Sequence, residues 1–350
     1  MLNHLKALTA LSGVSGDEGA VRDYILDVCG KYADVSVDAL GNVIVHKKGL
    51  RDSEKTVMLS AHMDEVGFII TNVTDEGYLR FDALGAIDRR VVVGKRVLIG
   101  KDGIPGIIGM KPVHLASKDE QGRVPEFPAL YMDIGVSSKE AALALVSLGD
   151  TAVFDAPSFE MGTSLAARAI DDRVGCAVLL ALIERELPID LCFVFTVQEE
   201  IGLRGAQAAT YIVKPDICFN LEGTTAADLP GVAADKQVCR LGGGVVIPFM
   251  DKGTVYDRGL YAAVTALAEQ HDIPWQTKTV VAGGTDAAVI QRAGGGVRVL
   301  GLAIPVRNLH TGYNVADLGD IESLFALICT LIDAFESLFA PLSADVESCV

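Results

Sequence analysis

Two adjacent carboxylates, Glu199 and Glu200, stand in the stretch FTVQEEIGLRGA directly behind the apolar run LCFVF. Neighbouring strand residues face opposite sides, so such a pair converges only where the strand gives out. Unpaired carboxylates at that point repel, and one is pushed towards protonation. A divalent cation removes the penalty: one carboxylate binds it while the other takes a proton from the water it activates. A solvated turn is the plainer reading of paired glutamates, and it fits poorly behind FVFTVQ.

Four further stretches put acids or histidines where apolar runs stop. In AHMDEVGF, His62 and Asp64 are two apart and share a strand face. A metal-ligating histidine usually donates its other ring N–H to such a carboxylate. On its own the pair reads more simply as a strand-end histidine beside a solvated acid. In ARAIDDRVG, Asp171 and Asp172 precede a helix, where capping would account for one of them. Glu222 ends the run in FNLEGTTAADLPG. His310 follows LGLAIPV in RNLHTGYNV, with Arg307 nearby. His4, His46, His114 and His271 have no comparable setting. Two histidines and several carboxylates, with no thiolate called for, suit zinc, cobalt or manganese.

The elements that must position these groups are legible from periodicity. LNHLKALTALSG and EGAVRDYILDVCGKY read as opening helices, and GNVIVHKKG and TVMLSAHMDEVGFII contain strands. Over residues 70–162 short strands alternate with glycine-rich turns, with one helix in SSKEAALALVSLG. This reads as a small β-rich domain inserted into a larger one formed by 1–69 plus 163–350. Strands apolar throughout then alternate with helices, and one long terminal helix is expected over LGDIESLFALICTLIDAFESLF. That texture implies an α/β fold with a mostly parallel, helix-covered sheet, and sites beyond the carboxyl ends of its strands.

The chain's 350 residues carry a formal net charge of −16, which argues against nucleic acid as a partner. Seven cysteines form no CxxC pair, and most sit in apolar runs; they read as free thiols in a reducing compartment. The N-terminus lacks the apolar core of a signal peptide, and no stretch is long enough to span a bilayer. The expectation is a cytoplasmic protein without a membrane partner.

With these stretches in order, the sequence resembles the tetrahedral aminopeptidases of metallopeptidase family forty-two. That group includes glutamyl aminopeptidases and proteins labelled endoglucanase or cellulase M. SAHMDEVGF, IIGMKPVHL, DIGVSSKEAA, AIDDRVG, TVQEEIGLRGA, GGTDA and RNLHTGYNV carry the resemblance, nearly end to end. It implies a zinc-peptidase-like catalytic domain interrupted by a β-rich dimerisation domain. It also implies two divalent ions per chain, zinc or cobalt, with manganese also suitable. Asp171 would bridge them, His62 and Glu222 completing one set of ligands and Glu200 and His310 the other. Glu199 resembles the general base, Asp64 the partner of His62, and Asp172 a conformational support. Asp286, in GGTDA, would lie in a segment lining the substrate pocket. Where many members carry aspartate, this chain has Glu222, one methylene longer.

The activity implied is hydrolysis of the N-terminal bond of short peptides with a free N-terminus. The partners implied are further copies of the chain: a dimer, then a twelve-subunit tetrahedron. A glycoside hydrolase is the rival reading; it needs two carboxylates and no metal, so His62 and His310 would have no task. The single tryptophan, Trp275, offers little for a sugar platform. A non-catalytic metal-binding assembly protein is a third reading, disfavoured by the intact base and ligand positions. An acid-selective pocket would need a buried Arg or Lys near the site, for which Arg307 and Lys111 are the candidates.

Overall fold

The computed structural model describes residues 1–339. Helices Leu2–Ala10 and Gly19–Cys29 open the chain, burying Leu5 and Leu8 from the first and Val21, Ile25 and Cys29 from the second. Strands β1 (Asp34–Val37), β2 (Val43–Lys47) and β3 (Val57–His62) follow. Every residue of β3 is buried, as an interior strand requires.

The next six strands are β4 (Gly67–Val73), β5 (Leu79–Leu84), β6 (Arg96–Ile99), β7 (Ile104–Met110), β8 (Leu130–Asp133) and β9 (Thr151–Phe154). They close into a barrel in the order β4-β5-β8-β7-β6-β9. The barrel has its own apolar core, in which Phe68 packs edge-on against Phe81 and Phe154, each with ring centroids at 5.2 Å. The helix expected in SSKEAALALVSLG is only Lys139–Leu143, capped by Ser138.

β10 (Phe159–Met161) and β11 (Ser164–Ala167) leave the barrel, and the helix Ile170–Ile183 is buried along its whole length. β12 (Leu191–Thr196), β13 (Ile217–Thr225), β14 (Val245–Val246), β15 (Trp275–Gln276), β16 (Arg298–Val306) and β17 (Asn314–Asp317) complete the strands. The main sheet runs β1-β2-β12-β3-β13-β16-β14-β15, and β10-β11-β17 form a small antiparallel sheet. Its centre, β12-β3-β13-β16, is parallel. Antiparallel pairing enters on both sides of that centre: β2 pairs so with β1 and β12, and β14 with β16. β1 and β2 are joined by a turn in which Asp38 accepts from the backbone of Leu40, Gly41 and Asn42; a link that short permits only antiparallel pairing.

The expected single terminal helix is two, Leu318–Asp333 and Phe335–Phe339. Six cysteines among the described residues are free and five of them buried, while Cys349 lies outside the described residues. No described helix is long and apolar enough to cross a membrane.

Candidate metal centre

The carboxyl ends of the central strands meet the start of the helix Ile170–Ile183. His62 is the last residue of β3. Glu199 and Glu200 sit just past β12, where Gln198 (φ 57°) and Leu203 (φ 59°) turn the chain sharply. Asp171 and Asp172 open the helix and are joined by a cis peptide bond. His310 lies in the loop after β16, itself at φ 57°. Glu222 differs from the sequence expectation: it lies inside β13, not at its end. The apolar run stops there, but pairing with β16 continues to Thr225 opposite Val306.

These side chains converge. His62 Nε2 lies 3.4 Å from Asp171 Oδ1 and 3.5 Å from Glu222 Oε2. His310 Nε2 lies 3.2 Å from Glu200 Oε1 and 3.8 Å from Asp171 Oδ2. Asp171 therefore turns one oxygen towards each imidazole. The second nitrogen of each ring meets a carbonyl: His62 Nδ1 is 3.1 Å from Asp64 O, and His310 Nδ1 is 3.0 Å from Ala86 O. A carbonyl only accepts, so Nδ1 carries a proton in each ring; Nε2 is left to ligate a cation or, without one, to donate a proton to the carboxylates it faces. Two ligands about 2.1 Å from a tetrahedral ion lie roughly 3.4 Å apart, so the spacing and the N/O donor set suit a divalent metal. Two groupings have mutually close donor atoms: His62, Asp171 and Glu200, and His62, Asp172 and Glu222.

Residues 41–327 match the M42 glutamyl aminopeptidase family. The chain belongs to this family. It is a metal-dependent aminopeptidase. The lysyl aminopeptidase of Pyrococcus furiosus is 32% identical over 96% of this chain and 98% of its own length. The glutamyl aminopeptidase of Lactococcus lactis is 30% identical over 95% and 97%. The TET1 peptidase of Pyrococcus horikoshii, which can assemble into a tetrahedron or a large octahedral shell, superposes with a TM-score of 0.84 at 36% identity, covering 95% of this chain and 98% of its own.

The aminopeptidase braces its acidic cluster from below. Asp64 is wholly buried, and its carboxylate is 3.4 Å from His62 Nδ1. Its closer partners are the backbone N–H groups of Glu199 (2.9 Å) and Glu200 (3.1 Å) and the hydroxyl of Ser15. Asp64 thus fixes the turn that carries both glutamates. Asp172 accepts from the backbone of His62 at 3.2 Å and Gly175 at 2.9 Å. Asn220 donates to Glu222 at 3.0 Å and accepts from Ser60 at 2.6 Å. Gly223 must lack a side chain: a Cβ there would come 2.9 Å from Asp171 Cβ, and its N–H donates to Asp171 at 3.1 Å.

Burial raises the pKa of Glu199, Glu200 and Glu222. Burial also opposes a charged His310, but Asp171 and Glu200 outweigh it and hold the imidazole up near about 10. The cluster demands positive charge, which protons or a bound cation can supply.

A cavity of about 350 Å³ opens onto His62, Asp171, Glu199, Glu200, Glu222 and His310. Three residues named as substrate-pocket candidates, Asp286, Arg307 and Lys111, do not border it. Asp286 is buried behind it; one oxygen accepts from Thr196 at 2.6 Å, the other has no partner among the described residues, and burial lifts its pKa to about 7. Arg307 forms a two-pronged pair with Asp228, and Lys111 is exposed beside Glu120. Ser15, Asn220 and Lys278 do not stand out in the sequence, and the last of them borders the cavity. Its one signal was position, in the segment leading to GGTDA.

Proposed function

We propose that the chain is a two-metal aminopeptidase acting on short peptides with a free N-terminus. His62, Asp171 and Glu222 hold one divalent ion, and Asp171, Glu200 and His310 hold the other. The observation that carries this reading is Asp171, with one carboxylate oxygen towards each imidazole. The ions, when bound, supply Lewis acidity that polarises the scissile carbonyl and acidifies water. Glu199 is the general base. Its carboxylate faces the cavity, makes no side-chain hydrogen bond among the described residues, and has its pKa raised by burial. It takes the proton of the attacking water and returns it to the leaving amine. Asp64 sets the position of Glu199 through the backbone, and Asp172 steadies the strand end that presents His62. Glu222 replaces a shorter aspartate without losing reach, since its oxygen stands 3.5 Å from His62. The N/O donors favour zinc or cobalt, with manganese admissible.

The inserted segment over residues 70–162 serves as the dimer surface in this reading. Ile107, Met110, Val113 and Leu115 are large apolar residues exposed on it, and a twelve-subunit tetrahedron is the expected assembly. Unpaired cysteines accord with a cytoplasmic setting. A glycoside hydrolase would leave the paired imidazoles without a role.

The test uses one peptide in two forms. The unblocked form should lose residues singly from its N-terminus, and the acetylated copy should survive. Chelator should stop the reaction, and zinc, cobalt or manganese should restore it. Equal cleavage of the blocked peptide would overturn the exopeptidase reading, and chelator-resistant release of sugar from soluble cellulose would revive the rival.

A further inference from the structure

The two relatives above are named for N-terminal residues of opposite charge, lysine and glutamate, so the choice must lie in side chains peculiar to each chain. Lys278 is the only lysine or arginine bordering the active-site cavity among the described residues. It is 6% exposed, an unusual position for an ammonium group, which normally stays in water. Its Nζ donates to the carbonyl of Ala282, and no ion pair engages it among the described residues. An ammonium carries three donors, so two have no acceptor among the described residues.

The lysine is held firmly by its neighbours. Thr277 Oγ1 donates to Ile247 O at 3.0 Å, and Thr279 Oγ1 to Gln237 O at 3.0 Å. Lys278 also borders a side void of about 20 Å³, room for about one water, so a larger partner must come from the main cavity. Gly283 and Gly284, next to the Ala282 carbonyl in the chain, line the same cavity, and a Cβ built on either would meet nothing within 4 Å. That space can take a substrate side chain. Thr224, Thr225 and Thr285 also line the cavity.

We propose that Lys278 is the specificity-determining residue of this site, and that the N-terminal residue it selects is acidic, its side-chain carboxylate accepting from the Lys278 ammonium. The inference rests on the aminopeptidase reading above. The substrate's α-amine faces the acidic cluster while its side-chain carboxylate meets the one free cation on the wall. A neutral side chain of the same shape leaves that cation unpaired and buried, which is the costly case.

The experiment compares kcat/KM for Glu-, Gln-, Leu- and Lys-p-nitroanilide on the metal-loaded enzyme. Glutamine copies the shape of glutamate without its charge, so wild type should prefer Glu over Gln by about 10-fold or more. In Lys278→Met the Glu-to-Gln ratio should fall to about one or below. Lys278→Arg should keep the acid preference, and Lys278→Glu should turn it towards the Lys substrate. Wild type that cleaves Gln as well as Glu overturns the inference without need of any variant, as does a folded Lys278→Met with an unchanged ratio. Failure to cleave any of the four would sink the aminopeptidase reading and this inference together. Cleavage without acid preference would sink this inference alone.

Discussion

Asp64→Asn probes the part of the site that holds no metal in this account. The aspartate accepts three hydrogen bonds while wholly buried: from Glu199 N on Oδ1, and from Glu200 N and Ser15 Oγ on Oδ2. An asparagine amide keeps the shape but has one acceptor oxygen. Its best orientation keeps that oxygen towards Glu200 and Ser15, which sets its NH2 against the N–H of Glu199. One buried donor left unpaired costs about 1–3 kcal/mol. The two remaining bonds lose their charge assistance, a further ~1 kcal/mol each. The sum, roughly 3–5 kcal/mol, is a large share of a usual stability of about 5–15 kcal/mol. The strain falls on the turn carrying Glu199 and Glu200, and a base displaced by about 1 Å costs about 10²-fold in rate. The assay is urea denaturation beside kcat of the metal-loaded variant. A variant with the wild-type midpoint and wild-type kcat would refute the bracing role and the arithmetic behind it.

Three further substitutions separate the remaining roles. Glu199→Gln keeps shape and loses basicity, so kcat should fall at least about 10²-fold with metal content unchanged, read by elemental analysis beside turnover. Asp171→Asn should lose both ions together with activity, because one residue serves both; two metals per chain in the purified variant would exclude the bridge. Gly223→Ala puts a Cβ 2.9 Å from that of Asp171 and should weaken metal retention by about 10-fold or more, measured by competition with a chromogenic chelator.

Much of this site was legible because its residues interrupt apolar strands. His62 closes a fully buried strand, and Glu199 and Glu200 break the run behind FVFTVQ, so polarity marked them. Glu222 was found by the same rule but placed wrongly in its element, since strand pairing outlasts the apolar run. The mostly parallel sheet is legible in the sequence, but its antiparallel flanks are not, because each strand's apolar content reports burial and not direction. The brace beneath the site was only partly visible: Asp64 was read as a partner of His62, but its hold on the glutamates runs through backbone N–H groups that no side-chain pattern records. Beyond its position, Lys278 carries no signal in the sequence because lysines are normally exposed, and the two cations the sequence offers, Arg307 and Lys111, are paired with Asp228 and Glu120.

Anomalous diffraction from zinc-loaded crystals tests the central claim most directly. The account requires two peaks about 3.5–4 Å apart, the usual span of a two-metal site. Asp171 should lie between them, with His62 and Glu222 at one and Glu200 and His310 at the other. A single peak, or two peaks that Asp171 does not share, would contradict it.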